Sequence, residues 1–324
     1  MPLWTPGLSI RGGSMAQSRG SRKGERAAYV EELKYSVRLL LRNKLVTAGL
    51  VLVAFFVILA GLANVLVDPG TAYEFDYARA FCWSNPYLDW GTQHPSCPQG
   101  FSPPLGTDSY GRDLLAMIIL AIPLDLKVAA TIVAVATVVG VLLGAFAAYA
   151  GGAIDELLLR VTDIFFAFPG LILALVFAVL LGRTIESLEL AVLLVWWPPY
   201  VRLIRGQVLT EKSKTYVEAL RALGIGRLRL LLRHIIPNAI YPILVQATLD
   251  IGGVILTFSA LMFLGFSPSP ALPELGNLAA EGINKIFTAP WLIVFPGLTI
   301  LLISLGFNLV GDGLRDVLDP RLRR

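Results

Sequence analysis

Six long apolar runs constrain this chain more than any other feature. They cover residues 45–67, 128–150, 164–181, 188–203, 239–264 and 291–310. A helix of ~20 apolar residues crosses a bilayer core, and each run is of about that size. Hydrophobic residues make up 56% of the 324 and charged residues 15%, whereas a soluble domain carries about 25% charge. Mean hydropathy is +0.69. The expected fold class is all-α: a polytopic membrane protein with six transmembrane helices. A short helix from Arg112 is expected before the second run, and Pro198 and Pro199 weaken the fourth.

Charge placement predicts the orientation. Residues 1–44 form a basic N-terminal segment that includes Arg19, Arg22, Lys23, Arg26, Lys34, Arg38 and Arg42. The 212–238 loop adds Lys212, Lys214, Arg221, Arg227, Arg229 and Arg233, and the 315–324 tail ends with Arg321, Arg323 and Arg324. The 68–111 segment instead carries Asp68, Glu74, Asp76 and Asp89 with Arg79. By the positive-inside rule both termini and the 212–238 loop are cytoplasmic, and 68–111 is an extracytoplasmic loop. An even number of spans gives the same answer. The net charge of +4 therefore reflects topology and does not indicate nucleic-acid binding. The first span (45–67) reads as a retained signal anchor ahead of a membrane core at 112–314, because residues 1–44 are too long and polar for a signal-peptide start. Met15 is a second candidate start, and 25–43 is a candidate amphipathic helix.

The extracytoplasmic segment holds both cysteines, Cys82 and Cys97, and one of the two histidines, His94. Disulfides persist outside the cytoplasm. A Cys82–Cys97 bridge would close a ~15-residue loop and stabilise it by ~3 kcal/mol in the chain-entropy account. A metal site from Cys82, His94 and Cys97 is the alternative, but it lacks a fourth ligand and paired short spacings.

Residues 216–238 read YVEALRALGIGRLRLLLRHIIPN, a charged helix-forming stretch between two apolar runs. Thr215 and Glu218 have capping-box spacing, so a helix is expected to start at Thr215. Gly224 can end it in the left-handed conformation. A second, basic helix is expected from Arg227 to His234, before Pro237. Two short helices about a glycine make a compact surface knob.

These residues carry a resemblance. Glu218-Ala219, Gly224 and Ile236-Pro237 resemble the EAA loop of ABC-transporter permeases. Gly106-Thr-Asp108 and Gly111-Arg-Asp113 resemble the GTD-x-x-GRD motif of the dipeptide/oligopeptide/nickel branch. Phe263-Leu264-Gly265, Pro296-Gly297 and the sequence GFNLVGDGLRDVLDPR from Gly306 resemble its FLG turn, last-span motif and C-terminal signature. The chain is identified as similar to the C-type subunit of that branch. The resemblance implies half of a translocation pathway shared with a second homologous permease. It also implies two ATP-binding subunits, an extracytoplasmic substrate-binding protein, and a multi-pass place in the cell membrane. Glu218, Ala219, Gly224, Arg227 and Pro237 are then the ATPase-coupling candidates. Arg227, Arg229 and Arg233 face either the ATPase or anionic lipid headgroups. Dipeptides or oligopeptides are the first expected cargo, oligosaccharides the second and nickel the third. The long 68–104 connection touches the binding protein, covers the pore mouth, or is a stabilised surface loop.

The chain lacks the residues for its own energy supply. No Gly-Lys pair exists, so a Walker A loop is excluded, and ATP and magnesium are expected on partner subunits alone. No Gly-x-Ser-x-Gly or His-Glu-x-x-His occurs. No catalytic residue, cofactor or metal is expected in this chain. A membrane scaffold has no need for a polar span interior, and a secondary transporter usually shows internal repeats.

Polar residues in or beside the spans are the other candidates. Asp250 lies mid-span with Gln246 one turn earlier. A carboxylate at that depth is expected to face water or a partner, so both are pathway-lining candidates, with pairing of Asp250 to Lys127 as the structural alternative. Asp163 is expected to open span three, where a helix N-terminus favours a carboxylate. Asp108, Arg112 and Asp113 are expected to order the start of span two. Gly140 and Gly144 have close-packing spacing. The sequence departs from the branch at Phe258, where a glutamate is usual, and at Pro273-Glu274-Leu275-Gly276 in place of Pro-x-Trp-Gly.

Overall fold

The computed structural model describes residues 43–84, 97–98 and 100–318. The expected helix at 25–43 therefore lies outside the described residues but for Asn43, as do the rest of the basic N-terminal segment (Lys44 apart), His94 and Arg321 to Arg324. Helix α1, Lys44–Leu66, is apolar throughout, and Asn43 caps it by accepting a hydrogen bond from the Leu45 amide at 3.0 Å. Its hydrophobic residues are mostly exposed, with Val46, Gly49, Phe56 and Ala63 buried against the rest of the chain. A lipid-facing helix has this pattern, because the bilayer solvates apolar side chains that water would not.

Helix α2, Leu114–Ala150, is one continuous helix of 37 residues. The separate short helix expected from Arg112 does not exist. Asp113 caps α2 directly, accepting from the Leu115 amide at 2.9 Å, and Pro123 lies within it. Proline removes a single backbone donor, and the buried residues on both sides of it keep the helix going.

Span three differs more. The chain forms α3, Gly152–Phe166, and α4, Gly170–Leu181, bent by 90° at Ala167, Phe168 and Pro169. Proline biases the residue before it away from the helical region, which breaks the run. A 12-residue helix spans only about 18 Å, so α4 needs the bent pair to cross. Asp163 does not open a span: it sits in the last turn of α3, and its carboxylate pairs with Arg202. A cation there offsets a carboxylate that the C-terminal end of a helix dipole disfavours.

Helix α5, Ile185–Lys212, runs through Pro198 and Pro199 and is longer than its apolar core. It begins at a Thr184 cap, whose hydroxyl accepts from the Ser187 amide at 3.1 Å. After the knob come α8, Tyr241–Leu261, a wide turn through Phe266, a short α9, Leu275–Glu281, and α10, Trp291–Leu318. Residues 315–318 continue α10 and so do not belong to a separate tail. Among the described residues, five helices are long and apolar enough to cross a membrane, or six if the bent pair is one span.

Helix α2 is central and packs along α5, α8 and α1. Its closest approach is to α5, at the two glycines. A Cβ on Gly140 would stand 2.4 Å from the Tyr200 Cβ, and one on Gly144 2.5 Å from the Val201 carbonyl oxygen. Their role is packing within this chain. Gly144→Leu should therefore destabilise the fold by about 2 kcal/mol through overpacking, read as a lower thermal unfolding midpoint in detergent. An unchanged midpoint would show that α2 and α5 can separate freely.

Candidate functional site

The knob grows from the end of α5. Lys212 donates to the Tyr149 carbonyl at 3.0 Å, tying α5 to the end of α2. Glu211 is buried and anchors the turn: it pairs with Lys214 and accepts from the Tyr216 hydroxyl at 3.0 Å. The first knob helix, α6, spans Thr215–Ala222 with Lys214 as its N-cap and no side-chain cap bond. The expected capping box is not made. Thr215 is already helical and Glu218 lies one position too far along, while Glu211 organises the entry instead.

Gly224 stands at φ +80°, as the turn requires. The Ile225 amide donates to the Leu220 carbonyl at 3.2 Å and the Gly224 amide to the Arg221 carbonyl at 2.9 Å. This pair of bonds is a Schellman closure, which a left-handed residue makes possible. The second helix, α7, covers Arg227–Leu230 and then widens into a π turn at Leu231–Ile235 before Ile236–Ala239. Pro237 does not end it. In the wide turn the Ile236 amide reaches back to the Leu231 carbonyl, a local widening that accommodates the proline.

Two faces of the knob differ. Val217, Leu230, Leu231 and Ile235 are buried with Tyr200, Ile204 and Val208 of α5 and Ala145 and Ala148 of α2. Glu218, Ala219, Ala222 and Gly224 are exposed, and Leu223 projects with 78% of its surface free. The knob is thus one packed body with the lower halves of α2 and α5.

Deeper in the chain, Gln246 donates to the Asp250 carboxylate at 2.9 Å. The side chains of Tyr200 and Trp196 adjoin the same carboxylate. Lys127 does not pair with it and instead lies near Glu189. Asp250 and Gln246 are both half-buried.

The end remote from the knob is held by polar contacts that the apolar runs do not reveal. Arg112 and Asp108 pair at 2.6 Å with both side chains fully buried. Arg112 also donates to the Ala271 carbonyl at 2.7 Å and lies 3.7 Å from Glu281. The Ser109 hydroxyl donates to Glu281 at 2.7 Å. These contacts join the start of α2 to the 267–285 segment. Cys82 and Cys97 are bridged, with their Cα atoms 4.9 Å apart, which removes the Cys82, His94 and Cys97 ligand set. The Cys82 amide donates to the Thr107 hydroxyl at 2.8 Å, and the Trp291 indole to the Thr107 carbonyl at 3.1 Å. Below them Asp125 and Glu274 are buried in contact. Glu274 caps α9 by accepting from the Asn277 amide at 2.7 Å and also accepts from the Ser259 hydroxyl at 2.8 Å.

Residues 140–324 match the family described as the binding-protein-dependent transport system inner membrane component. The dipeptide transport system permease protein of Alkalihalophilus pseudofirmus is 36% identical over 282 residues, 87% of this chain and 88% of its own. This chain belongs to that family. It is a multi-pass membrane permease component. The di/tripeptide transport system permease protein of Pseudomonas aeruginosa is 42% identical over 219 residues, 68% of this chain and 72% of its own. The glutathione transport system permease protein of Pectobacterium atrosepticum is 35% identical over 286 residues, 88% of this chain and 90% of its own.

The sequence reading missed Glu211, Asp125, Glu274, Glu281 and the Arg205–Asp155 pair, in which both guanidinium contacts measure 2.7 Å. Asp125 carried a usable signal, a charge beside an apolar run. Glu281 and the Arg205–Asp155 pair find their partners in distant segments, and Glu274 meets Ser259 and Asp125.

Burial, with a smaller push from the Asp108 carboxylate beside it, raises the Glu281 carboxyl to about 7 against the pull of Ser109 and Arg112. A carboxyl raised from 4.5 to about 7 binds more protons folded than unfolded. Its contribution is therefore present in full below pH 4.5 and lost as pH rises through about 7. A shift of this size corresponds to about 3 kcal/mol. The purified protein should melt at a higher temperature at pH 5 than at pH 8, and Glu281→Gln should flatten that dependence. An unchanged pH slope in the variant would remove Glu281 from this role.

Proposed function

We propose that this permease forms half of the translocation pathway of an ABC importer for dipeptides and similar short peptides. It pairs with a second homologous permease, receives cargo from a substrate-binding protein, and is driven by two separate ATP-binding subunits that carry the ATP and magnesium. The knob and both termini face the cytoplasm, as the basic residues of the 212–238 loop and the N-terminal segment favour. The single observation that carries the reading is the knob: an exposed face with Glu218, Ala219, Leu223 and Gly224 on a body packed into α2 and α5. Force applied to the exposed face moves the helices beneath it, because close-packed interfaces transmit displacement without deforming continuously. The short-peptide cargo rests on the relatives named for dipeptide, di/tripeptide and glutathione transport.

Asp250 and Gln246 form the polar patch of the pathway in this reading. A half-buried carboxylate held by Gln246, Tyr200 and Trp196 offers a passing station for a peptide amino terminus. Asp250→Asn keeps the shape and removes the charge, so uptake of cationic and neutral dipeptides should change by different factors, about threefold or more apart. Equal effects on both would take Asp250 out of the pathway.

Coupling is tested at Gly224. Proline fixes φ near −65° and cannot take the +80° that closes the knob. Gly224→Pro should leave membrane insertion intact and lower ATP-driven uptake of a labelled dipeptide at least ~tenfold, a loss of about 1.4 kcal/mol or more in the driven step. Full uptake by a normally assembled complex would sink the coupling role of the knob.

A further inference from the structure

A flank of the knob that includes neither Glu218 nor Ala219 encloses a cleft of about 690 Å³ against the last turn of α2. Phe146, Tyr149, Lys212, Arg221, Arg227 and Leu228 line it, and no carboxylate among the described residues does. The Lys212 ammonium is committed to the Tyr149 carbonyl. Arg221 and Arg227 are exposed. Among the described residues, the ion pairs on this side of the chain are Arg160 with Glu156, Arg202 with Asp163, Arg205 with Asp155 and Lys214 with Glu211. None of them uses Arg221 or Arg227.

Phe146 links the cleft to the bilayer. It is 57% exposed, and Leu142 and Val138 are exposed one and two turns further along the same face of α2. Residues four apart on a helix share a face. The stripe therefore runs ~12 Å from the cleft along a membrane-spanning helix. Leu228 and Leu232 add exposed apolar surface on the knob side. Cations at one end and a continuous apolar track at the other fit an amphiphile, since a soluble anion would leave the track uncovered.

We propose that this cleft binds an anionic phospholipid. Its phosphate sits between Arg221 and Arg227, and an acyl chain lies along Phe146, Leu142 and Val138. The excess of cations over carboxylates selects a headgroup of net negative charge over a zwitterionic one. The lipid braces the knob against α2. The site stands apart from the choice of cargo; it takes Arg227, an ATPase-coupling candidate, for the lipid and leaves Glu218, Ala219 and Gly224 to the ATPase.

The test is native mass spectrometry of the whole transporter complex in detergent, stripped of lipid and titrated with phosphatidylglycerol or phosphatidylcholine. The wild type should retain phosphatidylglycerol that phosphatidylcholine does not displace. Arg221→Gln with Arg227→Gln should weaken that retention about tenfold, while Arg221→Lys with Arg227→Lys keeps it. Phe146→Ser should weaken it as well, which an acyl contact requires and a headgroup-only contact does not. Equal retention of the two lipids by the wild type would overturn the proposal, as would retention unchanged by the glutamine pair. Displacement of the lipid by inorganic phosphate alone would assign the site to a soluble anion. Loss of the ATPase subunits from the glutamine pair with lipid retention intact would assign the arginines to a protein contact.

Discussion

The contact between α2 and α5 is the one on which the rest of this fold depends. Inside a bilayer, lipid tails solvate leucine as well as another helix does, so helices associate through close packing and polar bonds instead of escape from water. Gly140 and Gly144 allow α5 to approach until Tyr200 and Val201 lie against the α2 backbone. The same stretch of α5 then supplies Tyr200, Ile204 and Val208 to the cluster that receives the knob. Close packing in the membrane and attachment of the surface knob are consequently one structural event.

The two ends of the chain use polar chemistry in different ways. At the knob end, Glu211, Lys212 and Tyr216 bind the turn to the helix ends, and Arg205 with Asp155 fastens α3 to α5. These groups leave an outward face for a partner. At the far end, Arg112 and Asp108 are buried with half-buried Glu281 beside them, and the disulfide and Thr107 hold the loop over them. A buried charge left without its partner is strongly disfavoured, so this end behaves as a lock.

The departures from the apolar runs have local causes. Span three is broken because Pro169 and Gly170 interrupt it, and α3 gains Arg202 and Arg205 as partners for Asp163 and Asp155. Pro198 and Pro199 do not break α5, because the packing of Tyr200 and Val201 against α2 holds the helix. The capping box at Thr215 fails because Glu211 already governs that turn. Only in α5 does a tertiary contact prevail over the local preference of its prolines.

The sequence by itself determined the class of protein, the place of most spans, the disulfide, and the left-handed turn at Gly224. Apolar length and composition answer to the solvent, and a glycine at a helix end answers to its own backbone; both are local properties. Only the tertiary structure decided that Asp250 rests on Gln246 and not on Lys127. It also decided that Glu281 closes onto Arg112, that Asp125 meets Glu274, and that Arg221 and Arg227 turn toward Phe146. Those pairings join residues far apart in the chain, or choose among several partners of the right charge. Their selection depends on which helix faces meet, a property that emerges from packing the helices together.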